Sequence, residues 1–485
     1  MAQPGSAGLL AGQSNDAPGR TAPTRRGTEL SMLAFAAGLV TGALMLVEAN
    51  QNERLSIRIV YYGLAYLALF AIAHLAVRKW APYADPLILP CVALLNGIGL
   101  VMIYRIDLAG AERALRTNSE FENAVPKQIL WTTLALVLFL VVLYVIKDHR
   151  TLTRYGYTFG LVGLFLLALP AILPGFIAPT LNGAKIWLRV GPISIQPGEF
   201  AKILLLIFFA AFLVSKRDLF MAAGRRVMGI DLPRARDLGP ILFCWAVSVV
   251  VLVAEKDLGT SLLFFGTVLV MLYVATERAI WIGVGLALFV GGCMLAYQLF
   301  GHVQVRVANW LDPFADYDQG GYQIAQALFG LGTGGVGGTG LGAGRPDMVP
   351  LANSDFITAA IGEELGFIGL AALLLVYMML AMRGMRSAVA VRDTFGKLLG
   401  GGLSFALIMQ VFVVVGGVTK LIPMTGITAP FLSAGGSSLL ANYILVALLL
   451  RISDAARRPQ TGQKPKPVQQ APIAEAHTVM VERPQ

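Results

Sequence analysis

Charge is what this chain has least of. Asp, Glu, Lys and Arg make up only 14% of its 485 residues, against 56% hydrophobic ones, and the mean hydropathy is +0.70. Soluble globular proteins carry about a quarter charged residues, so this balance excludes that class and places the chain among polytopic membrane proteins. Cysteine is also scarce. Cys91, Cys244 and Cys293 all fall inside apolar runs, which argues against a disulfide framework and for small buried hydrophobes. Of the four histidines, His74, His149, His302 and His477, no two stand at metal-ligand spacing, which argues against a zinc site. A P-loop and a dinucleotide fingerprint are both missing: no Gly-Lys-Ser/Thr follows the glycine-rich run, and no strand precedes it. The formal net charge of +10 would suggest nucleic-acid binding in a soluble protein. Here the basic residues sit mainly in short loops between apolar runs, so no nucleic-acid partner is expected.

What the chain has in abundance is apolar runs of spanning length. They lie near 30–49, 60–77, 86–104, 128–146, 158–178, 199–215, 239–255, 258–275, 280–299, 355–382, 398–418 and 430–451. At about 20 residues per span these predict an all-α polytopic membrane protein of about twelve transmembrane helices. Residues 1–28 and 453–485 lack an apolar period and read as disordered tails. With the N-terminus in the cytoplasm, alternate loops collect Arg78 and Lys79, then Lys147, Arg150 and Arg154, and later Arg383, Arg386, Arg392 and Lys397. The positive-inside rule therefore puts both tails in the cytoplasm and the 300–354 loop, between the ninth and tenth spans, outside it. The expected location is a cytoplasmic (inner) membrane.

The longest polar interruption runs from Arg306 to Gly366. Its aromatics, Trp310, Phe314, Tyr317, Tyr322, Phe329 and Phe356, suit packing, so an ordered functional loop is expected. Asp312, Asp316 and Asp318 are the candidate acids. Asp316-Tyr317-Asp318 is formally a D-x-D, a pattern that can hold a divalent metal on a pyrophosphate, whereas Asp312-Pro313 favours a plain turn. A carboxylate among apolar and aromatic groups can serve as a general base. The glycine run Gly330–Gly344 reads either as a phosphate cradle of backbone N–H groups or as close-packed backbone.

Charges embedded in or beside spans are costly and count as candidate functional residues. Glu199 and Lys202 share a helix face three residues apart; Asp257, the pair Glu363 and Glu364, and Lys420 are similar cases. Lys185, Arg189, Arg306 and Lys420, all on the same side, together suit a pyrophosphate. Taken singly, each reads as a solvated base.

Four blocks carry a resemblance. They are NGAKIWLRVGPISIQPGEFAK at 182–202 and DLGTS at 257–261. A third runs from residue 310 to the glutamates at 363 and 364 with DPFAD, GGYQIAQAL, GTGGVGGTGLG and SDFITAAIGEELG, and the fourth is LIPMTGITAPFLSAGGSSLLANY at 421–443. In order and spacing they resemble the SEDS family (shape, elongation, division and sporulation), the group of RodA, FtsW and SpoVE. The likeness covers about residues 86–451, and the stretch from Gly435 is closer to the elongation type. It implies a ten-helix core over 81–452, with 29–80 as two added helices. It also implies a peptidoglycan glycosyltransferase that polymerises lipid II outside the membrane, releasing undecaprenyl pyrophosphate. Asp316, three residues past Pro313, matches the essential aspartate; Asp318 stays a second choice, because the resemblance implies one added residue before Gly321. Glu199, Lys202, Asp257, Gln323, Glu363 and Ser433 fall in the same blocks and join Lys185, Arg189, Arg306 and Lys420 as expected substrate contacts. Mg²⁺ or Mn²⁺ on Asp316 and Asp318 is allowed, with no organic cofactor. A single-span class B penicillin-binding protein is the implied partner. A division-type polymerase or a lipid II flippase is the alternative, and a scaffold for wall-synthesis complexes is a third reading.

Overall fold

The structure is a computed structural model. It describes residues 24–52, 57–118, 120–180, 184–191, 193–216, 257–318 and 320–459, with short pieces at 225–227, 230–232 and 246. The seventh apolar run, 239–255, most of the segment 217–256, and nearly all of both expected tails lie outside the described residues. Among the described residues ten helices are long and apolar enough to span: α1 (Arg26–Asn52), α2 (Arg58–Trp80), α3 (Ile88–Thr117), α4 (Val125–Val145), α7 (Pro197–Ser215), α8 (Leu258–Thr276), α9 (Ile280–Leu299), α12 (Ile357–Ala390), α13 (Thr394–Val418) and α14 (Gly436–Arg457). A shorter apolar helix, α6 (Gly156–Ile172), corresponds to the fifth run. The remaining elements are short: α5 (Thr151–Arg154), α10 (Gly301–Leu311), α11 (Tyr322–Gly334) and two antiparallel hairpins, β1 (Leu188–Val190) with β2 (Ile193–Ile195) and β3 (Arg225–Val227) with β4 (Ile230–Leu232).

The helix limits differ from the apolar runs where polar groups find partners. α1 begins at Arg26, inside the expected tail, because Arg26 bonds Glu29 and the carbonyl of Ala84, and Glu29 also meets His74 at 2.7 Å. α14 runs on through Arg457, into the other expected tail, because Ser453 and Asp454 accept the backbone N–H groups of Asp85 and Tyr83. α3 continues well beyond residue 104, carrying Arg105 and Asp107 in its buried face. Two ends of the bundle follow from such contacts. One gathers the start of α1 and the ends of α2 and α14. The other gathers the ends of α1 and α3 and the segment 300–355, and is called the loop end below.

The core is one continuous apolar cluster in which α3, α7, α13 and α14 are most buried. α6 packs on α7, α12 on α13, and α4 on α14. Outward faces keep large apolar residues exposed, such as Phe35, Leu161, Phe367 and Leu375, as a lipid-facing surface requires. Cys91 is buried as expected; Cys293 instead lies exposed on the outward side of α9, and Cys244 falls outside the described residues.

Candidate active site

The 300–355 segment is not a plain loop. α10, an amphipathic helix, lies against the 419–435 turn: Trp310 Nε1 donates to the Lys420 carbonyl at 3.1 Å, and Lys420 Nζ donates back to the Leu311 carbonyl at 3.1 Å. Asp312 then stops the helix. Its Oδ1 accepts the Phe314 N–H at 3.0 Å, an Asx turn, which is the plain role its Asp-Pro context predicts. The chain folds back so that the Gly321 N–H meets the Asp316 carbonyl at 2.9 Å and the Gly320 N–H meets Asp316 Oδ2 at 3.1 Å. Gly321 is obligatory here, since a Cβ on it would sit 1.9 Å from the Pro313 carbonyl oxygen. Asp316 is therefore held by its own turn and remains exposed, as does Asp318 on the same turn. The apolar surroundings expected for Asp316 are not there; the nearby aromatics pair with one another instead, Phe314 with Phe329 and Tyr317 with Tyr322.

The helix that leads into this turn also joins a cluster of charges. Arg306, on α10, donates to the Thr425 carbonyl at 3.2 Å and interacts electrostatically with Asp257 and Asp355. Asp257 caps α8, accepting from Thr260 N at 3.0 Å and Thr260 Oγ1 at 2.6 Å. Burial pushes the Asp257 and Asp355 carboxyls above the ordinary carboxylate range and the Arg306 guanidinium below its own; the opposite charges only partly offset this. Glu199 and Lys202 form the expected pair on α7 at 2.9 Å, buried in the bundle. Lys202 also donates to Gln410 Oε1 at 2.9 Å, and Gln410 Nε2 holds the Thr428 carbonyl. Glu199 is in turn felt by Asp257. The structure thus brings Glu199, Lys202, Asp257 and Arg306 together around the 419–435 turn, and adds Asp355. Asp355 lies in the SDFI stretch with no charged residue three or four positions away, so no spacing in the sequence marks it.

Three of the other expected contacts, Lys185, Lys420 and Ser433, are spent on the fold. Lys185 Nζ donates to the carbonyls of Leu173 and Ala171 at 2.6 and 3.3 Å, closing the end of α6 after Pro170. Lys420 ties down α10, as above. Ser433 Oγ donates to the Ser354 carbonyl at 2.6 Å and accepts the Ala429 N–H at 2.9 Å. Arg189 is exposed on β1 and Gln323 half-buried on α11, neither in the cluster. Of the four bases expected to face a pyrophosphate, Lys185, Arg306 and Lys420 bond backbone carbonyls and Arg189 is exposed. The structure also decides between the two readings of the glycine run. The N–H groups of Thr339 and Gly340 bond the carbonyls of Glu363 and Glu364, and the Gly342 N–H bonds Glu364 Oε2, so these donors hold protein rather than phosphate. Glu363 Oε1 accepts the Arg345 N–H at 2.6 Å, and Glu364 Oε1 accepts Arg105 Nε at 2.8 Å. Arg105 was missed because its apolar run was ended one residue before it.

For a metal, Asp316 and Asp318 offer two exposed carboxylates, and among the described residues no group of three candidate ligands converges. Magnesium is commonly held by one or two carboxylates plus substrate phosphates, so this donor set fits an ion that arrives with a pyrophosphate.

The family model of the FtsW/RodA/SpoVE cell cycle proteins matches residues 85–458. The chain belongs to that family. A peptidoglycan glycosyltransferase RodA of Mycobacterium tuberculosis (strain ATCC 25618 / H37Rv) is 54% identical over 461 residues, 95% of this chain and 97% of the relative. The stage V sporulation protein E of Bacillus subtilis is 33% identical, over 78% of this chain and 99% of that protein. Among solved structures, the rod shape determining protein RodA of Thermus thermophilus aligns with a TM-score of 0.52 at 25% identity, covering 76% of this chain and 96% of that one. A chain from a peptidoglycan synthase complex, described as coordinating polymerization and crosslinking, gives the same TM-score at 25% identity over 82% of this chain and 98% of its own. The family match begins at residue 85, so α1 and α2 precede it. The RodA relative covers 95% of this chain, too much for α1 and α2 to fall outside the likeness.

Proposed function

We propose that this protein is a peptidoglycan glycosyltransferase that polymerises lipid II at the outer face of the cytoplasmic membrane, in the elongation role of the RodA relatives. The observation that carries this is an exposed, turn-held Asp316 that follows α10, whose Arg306 joins a buried to half-buried charge cluster with Glu199, Lys202, Asp257 and Asp355. A carboxylate open to a bulky acceptor and a fixed polar floor suit a reaction that must position two lipid-linked sugars.

In this reading the Asp316 carboxylate takes the proton of the acceptor's 4-hydroxyl. The freed oxygen attacks the anomeric carbon of the donor sugar from the opposite face, so configuration inverts. The bond from that carbon to the pyrophosphate breaks, and its electron pair leaves with undecaprenyl pyrophosphate. A divalent cation held by Asp316 and Asp318 would neutralise that leaving charge. Arg306 and the carboxylates that flank it keep the floor fixed. An apolar cavity of about 760 Å³ in the loop-end half of α2, α3 and α4, lined by Tyr62, Leu69, Leu100, Leu108 and Ile129, suits a polyprenyl chain. A single-span class B penicillin-binding protein is the proposed partner for crosslinking.

The test is polymerisation of lipid II by the purified chain. General-base help is typically worth ~10²–10⁴-fold, so Asp316→Ala is expected to lose about that factor while remaining in the membrane. Glycan strands made at the wild-type rate would reject the assignment. The flippase reading gains no support from the charge pattern. A flippase would need polar groups continuing through the midplane between the two ends, and the charges of this site gather at the loop end.

A further inference from the structure

A second polar cavity, of about 250 Å³, lies at the loop end on a different face of α3. Arg105, Arg113 and Arg116 line it from one stripe of α3, Arg345 and Gly344 line it from the end of the glycine turn, and Gln51 closes it from the end of α1. Along the chain, α11 lies between Asp316 and the part of the glycine turn that lines this cavity. Its thirteen residues span about 20 Å at 1.5 Å per residue.

Four arginines line the cavity against one carboxylate, Glu112, while Asp347, Glu363 and Glu364 stand outside the lining and face Arg345 and Arg105. Glu112 pairs with Arg116 at 2.5 Å, Asp347 with Arg345 at 3.2 Å, and Glu364 with Arg105 at 2.8 Å. Among the described residues Arg113 has no carboxylate partner and reaches only the Asp347 carbonyl, at 3.4 Å. Arg105 is 2% exposed, and although its Nε and Nη2 bond Glu364 and the Gly344 carbonyl, its Nη1 has no hydrogen-bond partner. A buried guanidinium with an unmatched donor, beside a second uncompensated one, calls for an oxyanion.

The place selects which oxyanion. α3 has 30 residues, hence a length of about 45 Å, against a hydrocarbon core of about 30 Å. Its last turns, with Arg113 and Arg116, therefore stand in the headgroup layer, where phosphate is the prevailing anion. Guanidinium forks match phosphate oxygens in bidentate fashion, and basic pockets between transmembrane helices are a known setting for anionic lipid headgroups.

We infer that the Arg105–Arg113–Arg116–Arg345 cavity binds the phosphate group of a membrane lipid, at a site separate from the Asp316 turn. Two sources share that chemistry: an anionic phospholipid, or the pyrophosphate of a polyprenyl carrier. The full chain is reconstituted in phosphatidylcholine nanodiscs doped either with phosphatidylglycerol or with undecaprenyl pyrophosphate, and retained lipid is measured by native mass spectrometry. The expected result is retention of one dopant, reduced about ten-fold or more in the exposed double variant Arg113→Ala/Arg116→Ala, since a hydrogen bond to a charged group is worth roughly that factor. Arg78→Ala, at the opposite end, is expected to retain lipid like wild type. Retention of phosphatidylglycerol assigns a phospholipid site; retention of undecaprenyl pyrophosphate assigns a second carrier site. Retention of neither dopant, or equal retention by wild type and double variant, overturns the inference. Arg105→Gln provides a second check: if it keeps full retention while folded, the buried guanidinium is not part of the site. Binding is read without turnover, so a failure of the glycosyltransferase reading shows separately, in the polymerisation assay.

Discussion

At the scale of single residues, the buried pair Glu199–Lys202 can be tested against its own cost. Removing one member of a buried ion pair leaves the other uncompensated and typically costs 3–5 kcal/mol, roughly, whereas replacing both can be near neutral. Lys202→Met is expected to lower thermal stability in detergent by about that amount, and Glu199→Gln/Lys202→Met to recover most of it. Equal melting of the single and double variants would mean that Gln410, not Glu199, is the partner that matters. Asp355 supports a different measurement. Its carboxyl is raised by burial, so as pH falls it takes up a proton earlier than an ordinary aspartate near 3.9. The charge facing Arg306 is therefore present on the alkaline side and lost on acidification. Polymerisation is expected to decline on the acid side from a pH above the usual carboxylate range, and Asp355→Asn to be low at all pH values with that limb flattened. An unchanged acid limb in Asp355→Asn would assign the titration to Asp257 or another group.

At the scale of elements, the glycine run and the kinked helix α12 form one unit. Gly366 breaks the helix with φ +67, and a Cβ there would lie 2.2 Å from the Gly338 nitrogen. Gly334 and Gly338 approach the 362–364 backbone just as closely. Gly366→Ala therefore meets both a left-handed conformation and a backbone wall, at a cost of about 1–3 kcal/mol. The expected result is faster hydrogen exchange at Thr339, Gly340 and Gly342, whose N–H groups bond Glu363 and Glu364, together with reduced polymerisation. Protection unchanged from wild type would show that the turn holds without the kink. This unit also shows what a linear reading of the chain can and cannot reveal. The apolar runs located the described spanning helices, though α3 extends thirteen residues past its run, because a bilayer demands length and hydropathy, which are local. The pair Glu199–Lys202 was legible for the same reason, since three residues on a helix share a face. The glycines were ambiguous because close packing and phosphate binding use the same residue, and only the partners decide. Arg105 was invisible as a partner of Glu364 because 259 residues separate them. Asp355 acquires its setting from α10 and the 419–435 turn, which no spacing rule connects to it.

At the scale of the whole molecule, α1 and α2 are integrated into the bundle although the family model begins after them. Tyr66 on α2 bonds the Ala93 carbonyl, Tyr104 on α3 donates to Glu48 on α1 at 2.7 Å, and Asn50 and Gln51 bond the Leu341 and Gly342 carbonyls of the glycine turn. These contacts run from the middle of the bundle to the loop end, so the two helices are placed to steady the turn that Glu363 and Glu364 hold from the other side. They pack tightly on α3 at Gly97, where a Cβ would lie 2.2 Å from Val40 Cγ2 and 3.0 Å from the Tyr66 hydroxyl. Gly97→Val would push α1 and α2 outward together. Overpacking of this kind costs about 1–3 kcal/mol. If the helices only anchor the chain, the cost should appear in melting temperature and nowhere else. If they support the loop end, Gly97→Val is expected to weaken the contacts of Asn50 and Gln51 as well, so that amide protection around Gly342 and the rate of glycan polymerisation both fall. Normal polymerisation by a variant whose melting point has dropped would leave the added helices as anchors alone.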